Sequence, residues 1–572
     1  MHVERTGAQL LVESLYQAGL TTLFGLPGDT GISFYDALHA RRDRMRHVLA
    51  RDERSAAQMA DAYARCTNTV GVVEASSGGG TTYLVGGLGE PYAASVPLLI
   101  LTSDIHRASR GSGALTEIDQ GRLFSAVTRW SATASSAHEI PALISAALAA
   151  ATTGRPGPAS VIIPEDVLDE RSTVTIAGAE TVLPRERPAA DEALVRAAAD
   201  ALQRARRPAI VAGSGLHLSA AWGELEQVAE QAGIPVATTI QGKGSIAETG
   251  PWSLGVVGAN GARDYANAYL AGADAVLLIG TRANATDTNS YQSPPREGPT
   301  VIQIDIDAAR AGRNFPGSLP LVGDARTVLR QLVQALSPSD AERRERLRAW
   351  VAERRQAWIA SATRTAPHAT TSELHPADVI QAIQELAGND VVVVADPGTP
   401  TPYVAAYWET AVAARRVLCP RGHGPMGYAI PGAIGAALAC PGRTIVGLTT
   451  DGSLAMSCGE LETACRLALP IIYVQFTNGS FGWIKMLQHL YLDRRYFGVD
   501  LGPIDAVAVA RGFGLQAARA TTLDELRQIF RAYQRTARPG LVDVVVADPT
   551  QVVPPVAPWQ AALKGQGGRP VY

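Results

Sequence analysis

The stretch between Thr444 and Gln488 constrains the possible fold more than any other part of this chain. One apolar run, Thr444 to Leu448, is followed by Asp451-Gly452-Ser453, and a second, Ile471 to Phe476, is followed by Asn478-Gly479-Ser480. Apolar residues between the two runs recur at helical spacing, which predicts a strand–helix–strand unit with parallel strands. The carboxyl ends of parallel strands lie at the same edge of a sheet, where doubly wound folds bind their ligands.

Asp451 and Asn478 stand at these two strand ends, 478 − 451 = 27 positions apart. A carboxylate, an amide oxygen and a loop carbonyl, for which Ser480 is the candidate, are hard oxygen donors that suit Mg²⁺. Taken alone, an Asp-Gly or an Asn-Gly dipeptide is more often only a turn that closes a strand. Because both occur at this spacing after two apolar strands, the pair favours a magnesium site.

Composition excludes several classes of protein. The 572 residues are too many for one core, so we expect three or four domains, and the net charge of −3 argues against nucleic acid or a membrane surface as the main partner. The five cysteines form no Cys-x-x-Cys pair, which is typical of buried thiols in a reducing cytosol. The N-terminus lacks the apolar core of a signal peptide, and no run reaches the roughly eighteen apolar residues of a membrane span. A cytoplasmic protein is expected.

With these residues in view, the chain resembles the thiamine diphosphate-dependent enzymes of the acetohydroxyacid synthase and 2-oxo acid decarboxylase superfamily. The signature of that superfamily is Gly-Asp-Gly followed, about this far along, by Asn-Asn. Here Thr450-Asp451-Gly452 and Thr477-Asn478 replace the leading Gly and the first Asn by Thr and keep both ligand positions. The resemblance implies that Asp451, Asn478 and the carbonyl of Ser480 hold Mg²⁺ against the cofactor diphosphate.

Glu53 matches the one indispensable glutamate of the superfamily. It stands at a predicted strand-to-helix junction, and the residues up to Arg65 keep the family's Ala, Tyr and Arg positions, although Asp52 stands where His is usual. An acid at this place could simply interact with the helix dipole. The resemblance implies a catalytic role instead. A partly buried carboxyl with a raised pKa, hydrogen-bonded to N1′ of the pyrimidine, drives the tautomerisation that creates the cofactor's own base.

Other loops would surround thiamine diphosphate if the resemblance holds along the chain. Met426, in a Gly-Pro-Met-Gly context, resembles the apolar wedge that holds the two cofactor rings in a V, and His423 should lie near the pocket. The remaining candidate cofactor-binding residues are Pro27, Gly28, Gly79, Gly398, Thr399, Gly452, Ser453, Gly479 and Ile484.

The positions that would face the acceptor substrate depart from the family. Asp104 replaces a substrate-facing Gln, and Leu115 and Leu487 replace Phe and Trp. Unless it is protonated or paired, a carboxylate at Asp104 would repel an anionic 2-oxo acid by about 4 kcal/mol at roughly 4 Å. We therefore expect an aldehyde, a ketone or a larger intermediate as acceptor. Asp29 and His106 are further candidate substrate residues, although His106 is more readily an exposed loop histidine.

Three doubly wound α/β domains with parallel sheets follow from the resemblance. They are a pyrimidine-binding domain at residues 1–174, a central domain at 193–336 and a diphosphate- and Mg²⁺-binding domain at 374–553, with a Pro- and charge-rich linker at about 175–192 and a His/Thr-rich linker before the third domain. Acetohydroxyacid synthases bind FAD in the central domain. Because no second basic residue follows Arg282, bound FAD is possible here but not favoured.

The favoured function is that of an acetolactate synthase-like carboligase. It would decarboxylate a 2-oxo acid, with pyruvate as the favoured donor, and transfer the acyl carbanion equivalent to an acceptor. A simple 2-oxo acid decarboxylase and a non-catalytic paralogue are the alternatives, and the retained Glu53, Asp451 and Asn478 argue against the second. In relatives the residues at the two ends of the cofactor come from different subunits, which implies a homodimer or homotetramer.

Overall fold

The computed structural model describes residues 4–176, 178, 181, 183–364, 373–566 and 569. Most of the predicted His/Thr-rich linker and part of the linker at 175–192 lie outside these residues. The chain forms two compact units. The first unit comprises Met1–Arg185, Pro420–Arg443 and Met456–Ile471. The second unit comprises Glu186–Cys419, Thr444–Ala455 and Ile472–Tyr572.

The N-terminal part of the chain forms the sheet of the first unit. Its strands are β1 (Arg5–Thr6), β2 (Thr22–Gly25), β3 (Arg46–Leu49), β4 (Gly71–Ala75), β5 (Leu98–Asp104), β6 (Trp130–Thr133), β7 (Ala159–Pro164) and β8 (Arg171–Ser172). Its helices are α1 (Gly7–Gln17), α2 (Ile32–His39), α3 (Glu53–Thr67), α4 (Gly79–Ala94), α5 (Gln120–Phe124), α6 (Ile140–Thr152) and α7 (Glu165–Asp169). Within the described residues, six of these strands pair in parallel in the order β3-β2-β4-β5-β7-β6, and β1 and β8 form a separate antiparallel pair. All seven residues of β5 are buried, as expected for a central parallel strand that helices cover on both faces.

The middle of the chain forms a second sheet, which belongs to the second unit. Its strands are β9 (Pro208–Ala212), β10 (Val236–Thr238), β11 (Ser253–Val256), β12 (Ala275–Ile279), β13 (Thr300–Asp305) and β14 (Leu319–Val322). Its helices are α8 (Glu192–Arg204), α9 (Ser214–Ser219), α10 (Trp222–Ala232), α11 (Asp264–Ala271), α12 (Ala325–Ala335) and α13 (Ala341–Arg364). The strands pair in parallel in the order β11-β10-β9-β12-β13-β14.

The C-terminal part of the chain contributes the third sheet. Its strands are β15 (Val391–Ala395), β16 (Val417–Leu418), β17 (Thr444–Thr450), β18 (Ile471–Thr477), β19 (Gln516–Ala520) and β20 (Gly540–Val545). The helices of this part are α14 (Pro376–Ala387), α15 (Pro400–Tyr407), α16 (Ala429–Ala439), α17 (Asp451–Ser457), α18 (Glu460–Arg466), α19 (Gly482–Tyr491), α20 (Ala506–Gly512), α21 (Leu523–Thr536) and α22 (Ala557–Leu563). The strand order is β16-β15-β17-β18-β20-β19, so β17 and β18 are neighbours.

These three parallel sheets with their flanking helices confirm the predicted fold class. The predicted strand–helix–strand unit is present, since β17 and β18 lie side by side and are joined through α17 and α18. Each sheet lies within one predicted domain, and the exact domain boundaries stay predictions. No helix among the described residues is long and apolar enough to cross a membrane.

Helices α3 and α16 pack closely within the first unit because α16 is built from small residues. A side chain at Gly435 would place its Cβ only 2.1 Å from the carbonyl oxygen of Met59 on α3. All residues of α16 from Ala429 to Ala437 are buried. This contact determines where the loop that precedes α16 can lie.

Lys243 and Glu248 form an ion pair whose side chains are both completely buried in the second unit. The Lys243 Nζ lies 2.7 Å from each carboxylate oxygen of Glu248 and 3.1 Å from the carbonyl oxygen of Ala405. A charge removed from water in this way is tolerated only because its partner is present.

We expect the variant Lys243→Met to unfold at a lower temperature than the wild type, because it leaves the Glu248 carboxylate buried and unpaired. The expected loss is about 3–5 kcal/mol. The double variant Lys243→Met/Glu248→Leu should recover most of it, since neither charge is then buried. Thermal unfolding of the three proteins checks this, and equal midpoints would show that the pair does not stabilise the fold.

Candidate active site

The loops after β17 and β18 meet at one edge of the third sheet. Asp451 directly follows β17, and its Oδ2 accepts hydrogen bonds from the backbone N–H groups of Asn478, at 2.8 Å, and Gly479, at 3.0 Å. The structure thus brings together the two residues that the sequence singled out as metal ligands. Gly479 has a φ of +68°, a backbone conformation that favours glycine.

Ser480 completes this group and connects it to an acid that sequence reasoning missed. The amide Oδ1 of Asn478 accepts hydrogen bonds from the backbone N–H of Ser480, at 3.2 Å, and from its hydroxyl, at 3.4 Å. The same hydroxyl donates to Asp548 Oδ2 at 3.0 Å. Burial alone would raise the pKa of Asp548, but hydrogen bonds from Thr550 and Ser480 hold it below its usual range. The signal in the sequence was an Asp shortly after the last strand of the sheet.

The surroundings of Asp451 suit a bound cation. Burial raises the pKa of Asp451, and the nearby carboxylate of Asp543 raises it further, although the two backbone N–H groups work in the opposite direction. A cation would stabilise the charged carboxylate here. Within the described residues, no cluster of three or more His, Cys, Asp or Glu could hold a metal by itself. The expected set has one carboxylate, an amide oxygen and a carbonyl, and it fits Mg²⁺, which takes its other ligands from phosphate and water.

The other predicted cofactor-binding residues of the second unit lie in one loop and on two helices. Gly398 has a φ of +108° and open space where a Cβ would stand, so its backbone is accessible to a ligand, and Thr399 is buried beside it. Gly452 and Ser453 lie in the first turn of α17. On α19, Ile484 is about half exposed, which leaves it available to a ligand.

Leu487, predicted to face the acceptor, packs against a small apolar cluster. That cluster is formed by Met486, Val556 and Trp559, and Leu487 is partly buried against it. The structure therefore gives Leu487 a packing role on α19.

Glu53 is the first residue of α3 in the first unit. Asp52 caps this helix, since its carboxylate accepts hydrogen bonds from the backbone N–H groups of Arg54, at 2.8 Å, and Ser55, at 3.4 Å. Aspartate is among the preferred residues at this position, which accounts for Asp52 where the family has His. Half-burial raises the pKa of the Glu53 carboxyl, and the acids Asp52 and Glu74 add to the rise.

Space beside Glu53 depends on Gly80 in the first turn of α4. A Cβ at Gly80 would lie 3.0 Å from Glu53 Oε1 and 3.0 Å from Ser76 Oγ, whereas Gly79 faces open space. Gly28 packs directly on Ser76, since a Cβ there would lie 2.3 Å from its side chain. The neighbouring Pro27 and Asp29 are exposed. Gly28, which was predicted, and Gly80, which was not, thus permit close backbone approach around Ser76, whereas Gly79 does not contribute to it.

Glu74 is a second acid that sequence reasoning missed. It is buried on β4, where its Oε1 contacts the Tyr35 hydroxyl and lies 3.0 Å from His47 Nε2. The signal was a charged residue inside an otherwise apolar strand. Because Glu74 contributes to the raised pKa of Glu53, it belongs to the electrostatic surroundings of the site.

Asp104 is not the unpaired carboxylate that would repel an anionic acceptor. It is buried at the end of β5, where it forms an ion pair with Arg110 and accepts a hydrogen bond from the backbone N–H of Ile105 at 2.9 Å. Burial raises its pKa, and these two partners offset the rise in part. Repulsion was expected only if Asp104 was neither protonated nor paired, so it no longer follows. Sequence reasoning missed Arg110, whose position six residues downstream was the available signal.

Two other candidates in the first unit are exposed. His106 lies at the surface, where its Nδ1 accepts a hydrogen bond from the backbone N–H of Ala108 at 3.1 Å. This arrangement is that of a loop histidine, the reading that the sequence favoured. Leu115, which stands where the family has an aromatic side chain, is 83% exposed.

The loop of residues 420–428, called the Met426 loop below, joins β16 to α16 and belongs to the first unit. Met426 is half-buried and His423 is exposed. The His423 ring lies against Gly89 of α4, where an added Cβ would come within 2.7 Å of His423 Cδ2. A glycine at this position therefore lets the loop lie directly on the helix.

Comparison with known proteins agrees with this arrangement of loops and sheets. Three family models match: the N-terminal TPP-binding domain of thiamine pyrophosphate enzymes at residues 5–123, their central domain at 195–332, and their C-terminal TPP-binding domain at 396–544. The matches cover parts of all three sheets and confirm the resemblance that the motifs indicated.

Curated relatives match along almost the whole chain. A probable acetolactate synthase large subunit of Methanocaldococcus jannaschii is 32% identical over 96% of this chain and 93% of its own length. The acetolactate synthase large subunit of Parasynechococcus marenigrum is 31% identical over 97% and 90%, and the isozyme 3 large subunit of Escherichia coli is 30% identical over 96% of both chains. This chain therefore belongs to the thiamine pyrophosphate-dependent enzymes of the acetolactate synthase family.

Proposed function

We propose that the protein is a carboligase that decarboxylates a 2-oxo acid, with pyruvate as the favoured donor, and joins the remaining acyl unit to an acceptor. The observation that carries this proposal is the meeting of Asp451 with the Asn478 loop at the edge of the third sheet. That arrangement supports a metal–diphosphate site in a chain of this family. Thiamine diphosphate, when bound, supplies the electron sink for decarboxylation.

Mg²⁺ is part of the proposal. Asp451, Asn478 and the carbonyl of Ser480 would hold the ion, and the raised pKa of the buried Asp451 supports a role as partner of a cation. FAD is not part of it, because the residues after Arg282 offer no second basic side chain. A homodimer is the proposed minimum assembly and a homotetramer the larger alternative, on the basis of the resemblance.

Glu53 is the proposed catalytic acid. Its raised pKa keeps a proton on the carboxyl at a higher pH than an exposed glutamate would, so the carboxyl can donate a hydrogen bond to a ring nitrogen. Its place in the first turn of α3, with Asp52 as cap, holds the carboxyl in a defined orientation. Gly80 keeps the space in front of it open.

The proposed acceptor is larger than a second pyruvate. Two family aromatics are replaced by the smaller leucine, and one of these, Leu115, is 83% exposed. Charge no longer restricts the acceptor, because Arg110 pairs with Asp104. The replacement of the two aromatics and the exposure of Leu115 are the features that support this choice.

We expect Asp451→Ala to weaken binding of Mg²⁺ and thiamine diphosphate together. Loss of a residue that only hydrogen-bonds to a metal ligand lowers metal affinity by about 10- to 100-fold, and loss of a direct ligand should lower it further. Titration calorimetry with and without Mg²⁺ measures this, and the cofactor-induced rise in melting temperature should disappear. Asp493→Ala, which removes an exposed acid paired with Arg495, is the control. An unchanged cofactor affinity in the Asp451 variant would remove this residue from the metal site.

Glu53→Gln should lower turnover by a factor of about 10²–10⁴, because the amide cannot exchange the proton that the carboxyl holds. Cofactor affinity should stay within a few-fold of the wild type. Glu192→Gln, which changes an exposed acid in the first turn of α8, is the matched control and should be fully active. Turnover near the wild-type value would refute the assignment of Glu53.

Product analysis tests the function itself. With pyruvate, thiamine diphosphate and Mg²⁺, we expect carbon dioxide release, and cross-products with added larger aldehydes, ketones or 2-oxo acids should form faster than acetolactate. Release of acetaldehyde with no cross-product would indicate a simple decarboxylase. Efficient acetolactate synthesis from pyruvate alone would contradict the proposed acceptor size.

A further inference from the structure

Glu90 on α4 binds the backbone of the Met426 loop through three successive N–H groups. Its Oε1 accepts a hydrogen bond from Gly422 at 3.1 Å, and its Oε2 accepts those of His423, at 2.6 Å, and Gly424, at 3.3 Å. Glu90 is completely buried. Successive N–H groups that converge on one anion form a nest, and here the anion is a side chain of the same unit.

The other end of the loop is attached to the same network. Arg65 on α3 donates to Glu90 Oε1 at 3.0 Å and to Asp61 Oδ2 at 2.9 Å. Asp61 Oδ2 also accepts the hydroxyl of Tyr428, the last residue of the loop. Met426 lies between the two attachment points, the backbone at 422–424 and the side chain at 428.

The charges of this network explain why the loop backbone takes part in it. Asp61, Arg65, Glu90 and Tyr428 are each no more than 3% exposed. The carboxylates of Asp61 and Glu90 share the guanidinium of Arg65. Buried charges require compensation, and the three N–H dipoles of the loop supply it at Glu90. The loop and the carboxylate therefore stabilise each other.

We propose that Glu90 is a positioning residue that places the Met426 loop for cofactor binding, with Arg65, Asp61 and Tyr428 as its supports. The proposal rests on the proposed function in one respect, namely that Met426 contacts thiamine diphosphate. Glu90 itself would touch no reacting atom. Its effect would pass through the position of the loop backbone.

The test compares Glu90→Gln with Glu248→Gln in the full-length protein. Both variants remove a buried carboxylate that pairs with a basic residue and accepts a backbone N–H, but Glu90 belongs to the first unit with the loop, and Glu248 belongs to the second unit. Hydrogen–deuterium exchange of a peptide spanning 420–428 reports the position of the loop. Titration calorimetry in the presence of Mg²⁺ measures the affinity for thiamine diphosphate, which reports whether the position of the loop affects cofactor binding.

In Glu90→Gln we expect amide exchange of the loop to be about 10- to 100-fold faster, the change that corresponds to lost hydrogen bonds to a charged acceptor. The affinity for thiamine diphosphate should also decrease, by about 10- to 100-fold. The Glu248→Gln control should lose thermal stability without either change. Tyr428→Phe should shift both measurements in the same direction as Glu90→Gln, but less, because it removes only one hydroxyl.

The proposal would be overturned if the amide hydrogens of the Met426 loop exchanged at the wild-type rate in Glu90→Gln. It would also be overturned if they exchanged faster while the affinity for thiamine diphosphate stayed unchanged. If Glu90→Gln does not fold, Tyr428→Phe decides by the same two criteria. Wild-type turnover is measured separately. A wild-type protein that binds thiamine diphosphate but forms no ligated product would refute the proposed function, whereas loop exchange and cofactor affinity would still decide the role of Glu90.

Discussion

The hydrogen bonds from the Asn478 loop to the Asp451 carboxylate are the interaction on which the arrangement of the candidate metal site depends. They form because β17 and β18 are parallel neighbours, so that both strands end at the same edge of the third sheet. A carboxylate at one strand end and an amide at the other can then share one ion. Asp451 is buried at this edge, and burial raises the pKa of its carboxyl. A bound cation would lower that pKa again.

Buried charge organises the first unit in a similar way. Glu53 keeps a raised pKa because it is half-buried beside Asp52 and Glu74, a condition that suits an acid required to hold a proton. Glu90 is buried far more deeply, and Arg65 together with three backbone N–H groups compensates its charge. We propose a chemical role for the first carboxyl and a structural role for the second, which accepts hydrogen bonds from four donor residues.

Much of the fold and the centre of the candidate site could be predicted because they depend on local pattern. Apolar strands that end in Asp-Gly and Asn-Gly predicted the neighbouring strand ends, and the matched context around Glu53 predicted its place at the start of α3. Pairings between distant residues could not be predicted in this way. Asp104 was expected to repel an anionic acceptor unless it was protonated or paired, and its pairing with Arg110 depends on the course of a loop that no periodic pattern describes.

The sequence alone determined the family, the three parallel sheets and the residue types available for metal and proton chemistry, since these follow from apolar runs and short motifs. Tertiary structure decided which charges have partners. Glu74 reaches Tyr35 and His47, and Glu90 reaches a loop more than 300 positions away. Hydrogen bonds and ion pairs require atoms to lie within a few ångströms of each other. Only the packing of helices and loops brings such distant residues to that distance.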